Sequence, residues 1–389
     1  MNSGPLSGFK VVEFEAIGPA PMCGMLLADL GATVLRIERI DKVELGTQRP
    51  LRYEVLLRGR QPLALDLKTT AGRAAAQEIV STADALIEGF RPGVMERLGV
   101  GPADCHVRNP RLVYGRMTGW GQDGPLAQAA GHDLNYIAIT GALHAIGRKG
   151  EAPAVPLNLV GDFGGGALYL ALGIVSALLH AQRSCEGQVV DASVVDGTLS
   201  LMAMHFGTAA AGLWNMERGS NTIDSGAPFY DVYECADGQW VSVGAIESRF
   251  FDELLARLEI ARTPFTNRQD RSTWGALRDE LAARFRSRSR ADWCQLLEGT
   301  DACFAPVLNM AESPRHPHVL AREALIEQDG VVQPNVAPRL SRTPGAIGAG
   351  ARTVGRGEAL ASLSNWFGAA RFEALQASGL LDAVQGTMR

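Results

Sequence analysis

The feature that most limits what this chain can fold into lies in its first 120 residues. There, short apolar, β-branched runs alternate with stretches of helical character. Val11, Val12 and Phe14, then residues 33–37, "PLALDL" at 62–67, "DALIEGF" at 84–90 and "RLVYGRMTG" at 111–119 each read as a strand. Pro19 and Pro21 suit the first turn of a helix after the first run, and Gly31 suits its end. "TAGRAAAQEIVSTA" supplies another helix. Strands alternating with helices predict a parallel sheet covered on both faces, an α/β fold.

Beyond residue 163 the pattern changes to long apolar helices, to about 217. Near Ser225 it changes again. "APFYDVYECADGQWVSVGA" predicts two strands joined by an Ala-Asp-Gly turn, and "SRFFDELLARL" puts Phe250 or Phe251, Leu254, Leu255 and Leu258 on one helical face. "RADWCQLLEGTDACFAPVL" adds a helix and a strand, so 225–310 reads as a smaller α+β domain. The Pro-, Gly- and Arg-rich "PNVAPRLSRTPGAIGAGARTVGRG" reads as an extended connector before a last helical stretch. With 389 residues, the chain exceeds the ~250–300 at which a single core stops growing.

Composition narrows the function classes. Net charge is −5, with 42 acidic against 37 basic residues, which argues against nucleic acid or an anionic membrane as partner. Cys23, Cys105, Cys185, Cys235, Cys294 and Cys303 are scattered without a Cys-x-x-Cys pair, as in a reduced cytoplasmic protein without a disulfide framework or zinc site. His316 and His318 read as a helix-entry loop. No signal peptide is read at the N-terminus and no peroxisomal signal at the C-terminus. The uncharged run 163–179 is expected to be a buried helix. There is no nucleophile elbow and no phosphate loop; "GAGART" at 348–353 lacks a third glycine. "GDFGGGAL" at 161–168 opens an apolar helix, where glycines allow either close approach of a ligand or close helix packing.

"AGHDLNYIAITGAL" at 129–142 sets His132 beside Asp133 where a helix begins. Locally this is a helix cap or an acid–base site. Together with "GPAPMCGMLLADLGATVLRIER", "FRPGVMERLGVGP", "GRMTGWGQDGP", "AVPLNLVGDFGGG", "GAPFYDVYECADGQWVSVGAIE", "TDACFAPVL" and "PRLSRTP", it resembles the family III (CaiB/BaiF-like) CoA-transferases from about residue 6 to 345. Within them the α-methylacyl-CoA racemases are most similar. The resemblance implies an interlocked homodimer. A Rossmann-like CoA-binding domain would take 1–190, linker helices 191–224, the small domain 225–310, and a linker with a C-terminal return 311–389. Each active site would lie between the large domain of one subunit and the small domain of its partner.

Transferases of the family use an aspartate nucleophile, matching Asp133. Racemases place a histidine before it, as His132 does, and add Asp162 of "GDFGGG" and Glu247 of "GAIE". Inverting an α-carbon needs one group to remove its proton and another to return one to the opposite face. Histidine ordinarily titrates near neutrality, and a carboxyl needs burial to approach that range. His132 and Asp162 would be the two bases, with Glu247 orienting His132 and the Asp133 N–H stabilising the enolate. The Asp133 side chain would cap the helix or contact the pantetheine.

The resemblance further implies that Arg39 and the Ala64, Leu65, Asp66, Leu67 strand hold the adenosine part of CoA, with Arg91 and Arg97 nearby. Ile17, Gly131, Leu134, Asn135 and Tyr136 would contact the thioester. Arg58 and Arg60 read as solvated surface charge, and Met202, Met204 and Met216 as acyl-chain surface or core. The stretch after Arg39 departs from the proline-glycine of relatives. No metal and no cofactor are expected. The alternatives are a CoA-transferase using Asp133 as nucleophile, and a non-catalytic acyl-CoA binding protein.

Overall fold

The computed structural model describes residues 4–41, 49–263 and 265–387, so positions 42–48 of the departing stretch after Arg39 lie outside the described residues. The chain divides into two compact units. One comprises 1–140, 157–201 and 323–389; the other comprises 141–156 and 202–322.

The first unit is built on a six-stranded parallel sheet: β1 (Lys10–Phe14), β2 (Thr33–Glu38), β3 (Arg60–Ala64), β4 (Ala85–Glu88), β5 (Val113–Thr118) and β6 (Val189–Ser193). Its order is β3-β2-β1-β4-β5-β6, so the direction of winding reverses between β1 and β4. Helices α1 (Pro19–Asp29), α2 (Thr70–Val80), α3 (Val94–Arg97) and α4 (Pro102–Arg108) connect the strands. One face buries Val12, Phe14, Leu35 and Leu86 against α2 residues Ala75, Ala76 and Ile79. The other buries Val11, Val34, Ala85 and Val113. Strands apolar on both faces are what a parallel sheet requires. β3 ends earlier than the 62–67 run suggests, because Asp66 Oδ1 accepts the Lys68 N–H at 2.9 Å and Thr69 caps α2. That turn chemistry outcompetes continued pairing.

β6 interrupts the region expected to be helical throughout. Its "VVDAS" lies at the sheet's edge with Val189 and Asp191 exposed and only Ala192 and Ser193 buried, so it lacks the apolar signature of its neighbours. Before it come α5 (Asp133–Ala138), α6 (Ala142–Ala145), a π-helical segment Leu159–Ala167, and α7 (Leu168–Ser184). The glycines of the π-helical segment serve packing. A Cβ at Gly165 would lie 2.6 Å from Thr198 Oγ1, and one at Gly166 3.0 Å from Pro19 Cβ. Helix α7 is not fully buried as expected. Leu170, Ile174, Ala177, Leu178 and Ala181 enter the core, while Leu168, Leu172, Val175 and Leu179 face outward. Leu159–Ser184 is long and apolar enough to cross a membrane by length and composition alone.

Arg58 and Arg60 are not surface residues. Arg58 is 1% exposed; its guanidinium meets both Asp29 carboxylate oxygens, Gln333 Oε1 at 2.9 Å and the Pro334 carbonyl. Arg60 Nε reaches Glu13 Oε2 at 2.8 Å beneath α1, and Glu13 also pairs with Arg36. A Cβ at Gly24 would lie 2.6 Å from Arg60 Nη2, so that glycine makes room for the buried cluster. The return segment ties into the same unit. Gly59 N–H donates to the Ala349 carbonyl, and Ala359, Leu363, Trp366, Leu381 and Val384 join the core.

The second unit carries α8's successor α9 (Ala203–Ala210), α8 itself (Val194–Leu201) belonging to the first. Its three-stranded antiparallel sheet is β7 (Tyr230–Glu234), β8 (Trp240–Gly244) and β9 (Phe304–Pro306). The hairpin turn holds Gly238 at φ 70°. α10 (Ser248–Arg257) buries Phe251, Leu254 and Leu255 against Phe229, Trp274 and Leu277. This unit spans more of the chain than 225–310. His316 enters a helix as expected, its Nδ1 accepting the His318 N–H at 3.2 Å.

Candidate active site

Three chain reversals leave the carboxyl edge of the sheet beside its switch point: after β1 at Gly18, after β4 at Gly89 and after β5 at Gly119. In open α/β sheets, ligands bind at this edge. A cavity of about 530 Å³ opens there. Its wall includes Ile17, Gly18, Phe90, Arg91, Trp120, Gly131, His132, Asn135, Tyr136 and Asp162.

His132 occupies the N-cap position of α5, and its N–H donates to Asn135 Oδ1 at 3.1 Å. Asn135 thereby closes the first turn and leaves the imidazole exposed at the cavity. Asp133 points the other way. It is 7% exposed, and Oδ1 accepts the Asp162 N–H at 2.5 Å, with Gly161 N–H also bonded to the carboxylate. Gly161 has no room for a Cβ beside that oxygen. Asp133 Oδ2 is buried without a partner among the described residues, and burial raises the pKa of this carboxyl. So Asp133 caps neither its own helix nor the cavity; it clamps the π-helical segment that carries Asp162.

Asp162 is a perturbed carboxyl in the cavity wall. Burial and the adjacent Asp133 charge push its pKa to about 6, against the opposing effects of an Asn158 hydrogen bond and of His132. π-helical distortions recur at functional sites, and here one turns a carboxyl toward the cavity. Gly18, at φ 66°, is needed beside it: a Cβ there would sit 3.0 Å from Asp162 Oδ2. Gly119 and Gly131 make room for Tyr136. The Tyr136 hydroxyl donates to the Gly131 carbonyl, and its ring meets Trp120 edge-on at 4.8 Å. Gly18, Phe90 and Trp120 were missed by sequence reasoning. Gly18-Pro19 opens α1, and Phe90 and Trp120 lie within the motifs "FRPGVMERLGVGP" and "GRMTGWGQDGP", which are the signals the sequence offers for them.

The remaining expected residues lie elsewhere. The Arg39 guanidinium packs over the Phe90 ring, 5.2 Å from its centroid, just outside the cavity wall. Leu134 is exposed beside His132, and Arg97 is exposed on α3. Ala64 and Leu65 are buried. Ala64 exchanges both backbone hydrogen bonds with Gln385, and Leu65 N–H donates to the Glu38 carbonyl. Asp66 and Leu67 follow in the turn before α2. Glu247 belongs to the second unit, exposed at the N-cap of α10. In that unit Met204 and Met216 are exposed rather than core residues, and Met202 is half-buried.

The family model for CoA-transferase family III matches residues 6–357. The chain belongs to that family. Among its relatives, the α-methylacyl-CoA racemase of Mus musculus is 41% identical over 372 residues, 95% of each chain. That of Homo sapiens is 42% identical over 376 residues, again 95% of each. The crystal structure of a CAIB/BAIF family protein from Brucella suis superposes with a TM-score of 0.80 at 24% identity, covering 94% of this chain and 100% of the other. The family fold is thus shared at low identity, and the distinguishing chemistry must come from the cavity's side chains.

Proposed function

We propose that this chain is an isomerase, an α-methylacyl-CoA racemase that interconverts the 2R and 2S thioesters by two-base proton transfer. The observation that carries the reading is a histidine and a carboxyl of pKa about 6 facing one cavity, in a chain over 40% identical to two racemases. One base takes the C2 proton, the electron pair moves onto the thioester oxygen, and the other base returns a proton to the opposite face. Near neutral pH a carboxyl at about 6 exchanges a proton at little cost in either direction. The Asp133 N–H, without an acceptor among the described residues, meets the enolate oxygen. Ile17, Gly131, Leu134, Asn135 and Tyr136 contact the thioester, and Arg39, Asp66, Leu67, Arg91 and Arg97 the rest of CoA, while the buried Ala64 and Leu65 support that edge from beneath.

Supporting this reading over a transferase is the orientation of Asp133. A nucleophilic carboxylate would have to surrender its bonds to the Asp162 and Gly161 N–H groups before reaching a thioester. The working form is an interlocked homodimer in which the partner's Glu247 orients His132. The outward row Leu168, Leu172, Val175 and Leu179, spaced for one helical face, supplies apolar surface for a second copy. Incubation of a 2-methylacyl-CoA in D2O tests the reaction. Deuterium at C2 with loss of configuration, and no need for an acceptor acid, is expected. Turnover that requires an added carboxylic acid and leaves C2 untouched would favour the transferase.

A further inference from the structure

Glu88 ends β4, fully buried, and takes no part in the chemistry above. Its two oxygens are committed in different directions: Oε2 accepts the Phe90 N–H at 2.7 Å and Oε1 accepts from Arg116 Nε at 3.0 Å. Arg116 in turn reaches Glu96 of α3 at 2.9 Å. Phe90 and Arg91 line the cavity that holds His132 and Asp162. The Phe90 ring also carries the Arg39 guanidinium, which has no carboxylate partner among the described residues, while the Arg39 N–H is held by Glu15 at 2.9 Å. Between them, Gly89 passes so close to Ala16 that a Cβ would lie 2.9 Å from Ala16 Cβ. A single carboxylate therefore fixes the strand-to-loop turn from which one cavity wall hangs. Burial raises this carboxyl to about 7 despite the adjacent arginine, a cost that an apolar residue in the same place would not incur.

We infer that Glu88 is a positioning residue for substrate binding, which fixes the Phe90 backbone and through the Phe90 ring orients Arg39 beside Arg91 to receive the anionic part of a CoA thioester. The inference rests on the CoA-binding reading of Arg39. The backbones that carry ring and guanidinium are each fixed by a carboxylate, Phe90 N–H by Glu88 and Arg39 N–H by Glu15, and the guanidinium rests on the ring between them, so the cation meets the ligand already oriented. Pre-organisation of this kind lowers the ordering cost of binding and leaves the bond-making step alone.

Titration of the full-length protein with coenzyme A by calorimetry, alongside C2 exchange kinetics, tests it. Glu88→Gln leaves one acceptor oxygen for two donors and is expected to weaken CoA binding about tenfold, with kcat within about threefold of the parent. Phe90→Leu, which keeps its backbone bond to Glu88 but removes the ring beneath Arg39, is expected to weaken CoA binding to a similar degree, and the double variant to be no weaker than the weaker single, the non-additivity of residues acting in one chain. A KM rise without a kcat fall separates positioning from general loosening of the fold. If Arg39→Ala weakens CoA while Glu88→Gln does not, or if the two losses multiply in the double variant, the positioning role is overturned. If Arg39→Ala itself leaves CoA binding unchanged, the CoA reading of Arg39 fails instead. Should Glu88→Gln not fold, Phe90→Leu made in the parent and in an Arg39→Ala background decides: a loss of CoA affinity that vanishes once Arg39 is absent supports the relay, and an unchanged Kd, or an equal loss without Arg39, overturns it.

Discussion

Asp133 and Asp162 illustrate how two adjacent carboxyls acquire different duties from their surroundings. Asp133 accepts backbone N–H groups of the segment that carries Asp162, and its charge adds to burial in raising Asp162. When Asp162 serves as the base it must be ionised, a state present above about pH 6 and lost as the pH falls through that value. For the enantiomer whose proton faces Asp162, kcat/KM therefore declines on the acid side with an inflection near 6. Asp133→Asn keeps an oxygen for the Asp162 N–H but removes the charge. The inflection should move down toward the ordinary carboxyl range, stopping short of it because burial, the larger cause, persists. Exchange rates of each enantiomer measured from pH 4.5 to 8 check this; an inflection that stays put or rises would detach Asp133 from the tuning of Asp162. The sequence placed His132, Asp133 and Asp162 in one list. It contained nothing to say that Asp133 turns inward, since side-chain direction depends on the π-helical segment arriving beside it.

At the scale of elements, alternation along 10–118 identified five of the six parallel strands, because a strand covered on both faces carries a short, mostly apolar run. β6 escaped, being an edge strand with a mixed pattern. The ion pairs that lock elements together escaped too. Arg58 sits in "LLRGRQP", which carries no mark of burial, yet it joins the end of α1 to Gln333 and Pro334 of the return segment. Arg58→Ala would strand the buried Asp29 carboxylate and should lower unfolding stability by about 3–5 kcal/mol. A surface arginine would change it by no more than about 0.5 kcal/mol. Urea-induced unfolding followed by fluorescence distinguishes the two, and a change within the surface range would contradict the buried pairing.

For the whole molecule, the two units divide the residues proposed for catalysis: His132 and Asp162 in the first, Glu247 in the second. If the partner's Glu247 completes each site, His132→Ala and Glu247→Ala homodimers are both inactive. Co-refolding the two variants should restore activity, because a mixed dimer holds one site with both residues intact. A mixture as inactive as its components would place Glu247 in the same subunit's site or outside it. A second test concerns the outward row on α7. Leu172→Arg alters no residue of the cavity, and if the proposed dimer uses this face it should shift sedimentation from dimer to monomer. An unchanged sedimentation coefficient would remove that face from the interface.

The acid–base candidates came through the family resemblance; the sequence by itself determined the parallel sheet and the hairpin of the second unit. Each of these is written in local periodicity or in turn residues, and local signals survive in one dimension. Only the tertiary structure decided that the glycines at 164–166 serve helix packing, that Arg58 and Arg60 are interior, and that Asp162 is raised to about 6. Those outcomes depend on which groups from distant parts of the chain come within a few ångströms of each other. Desolvation and Coulomb energies change steeply over such distances, and no residue's neighbours in sequence report them.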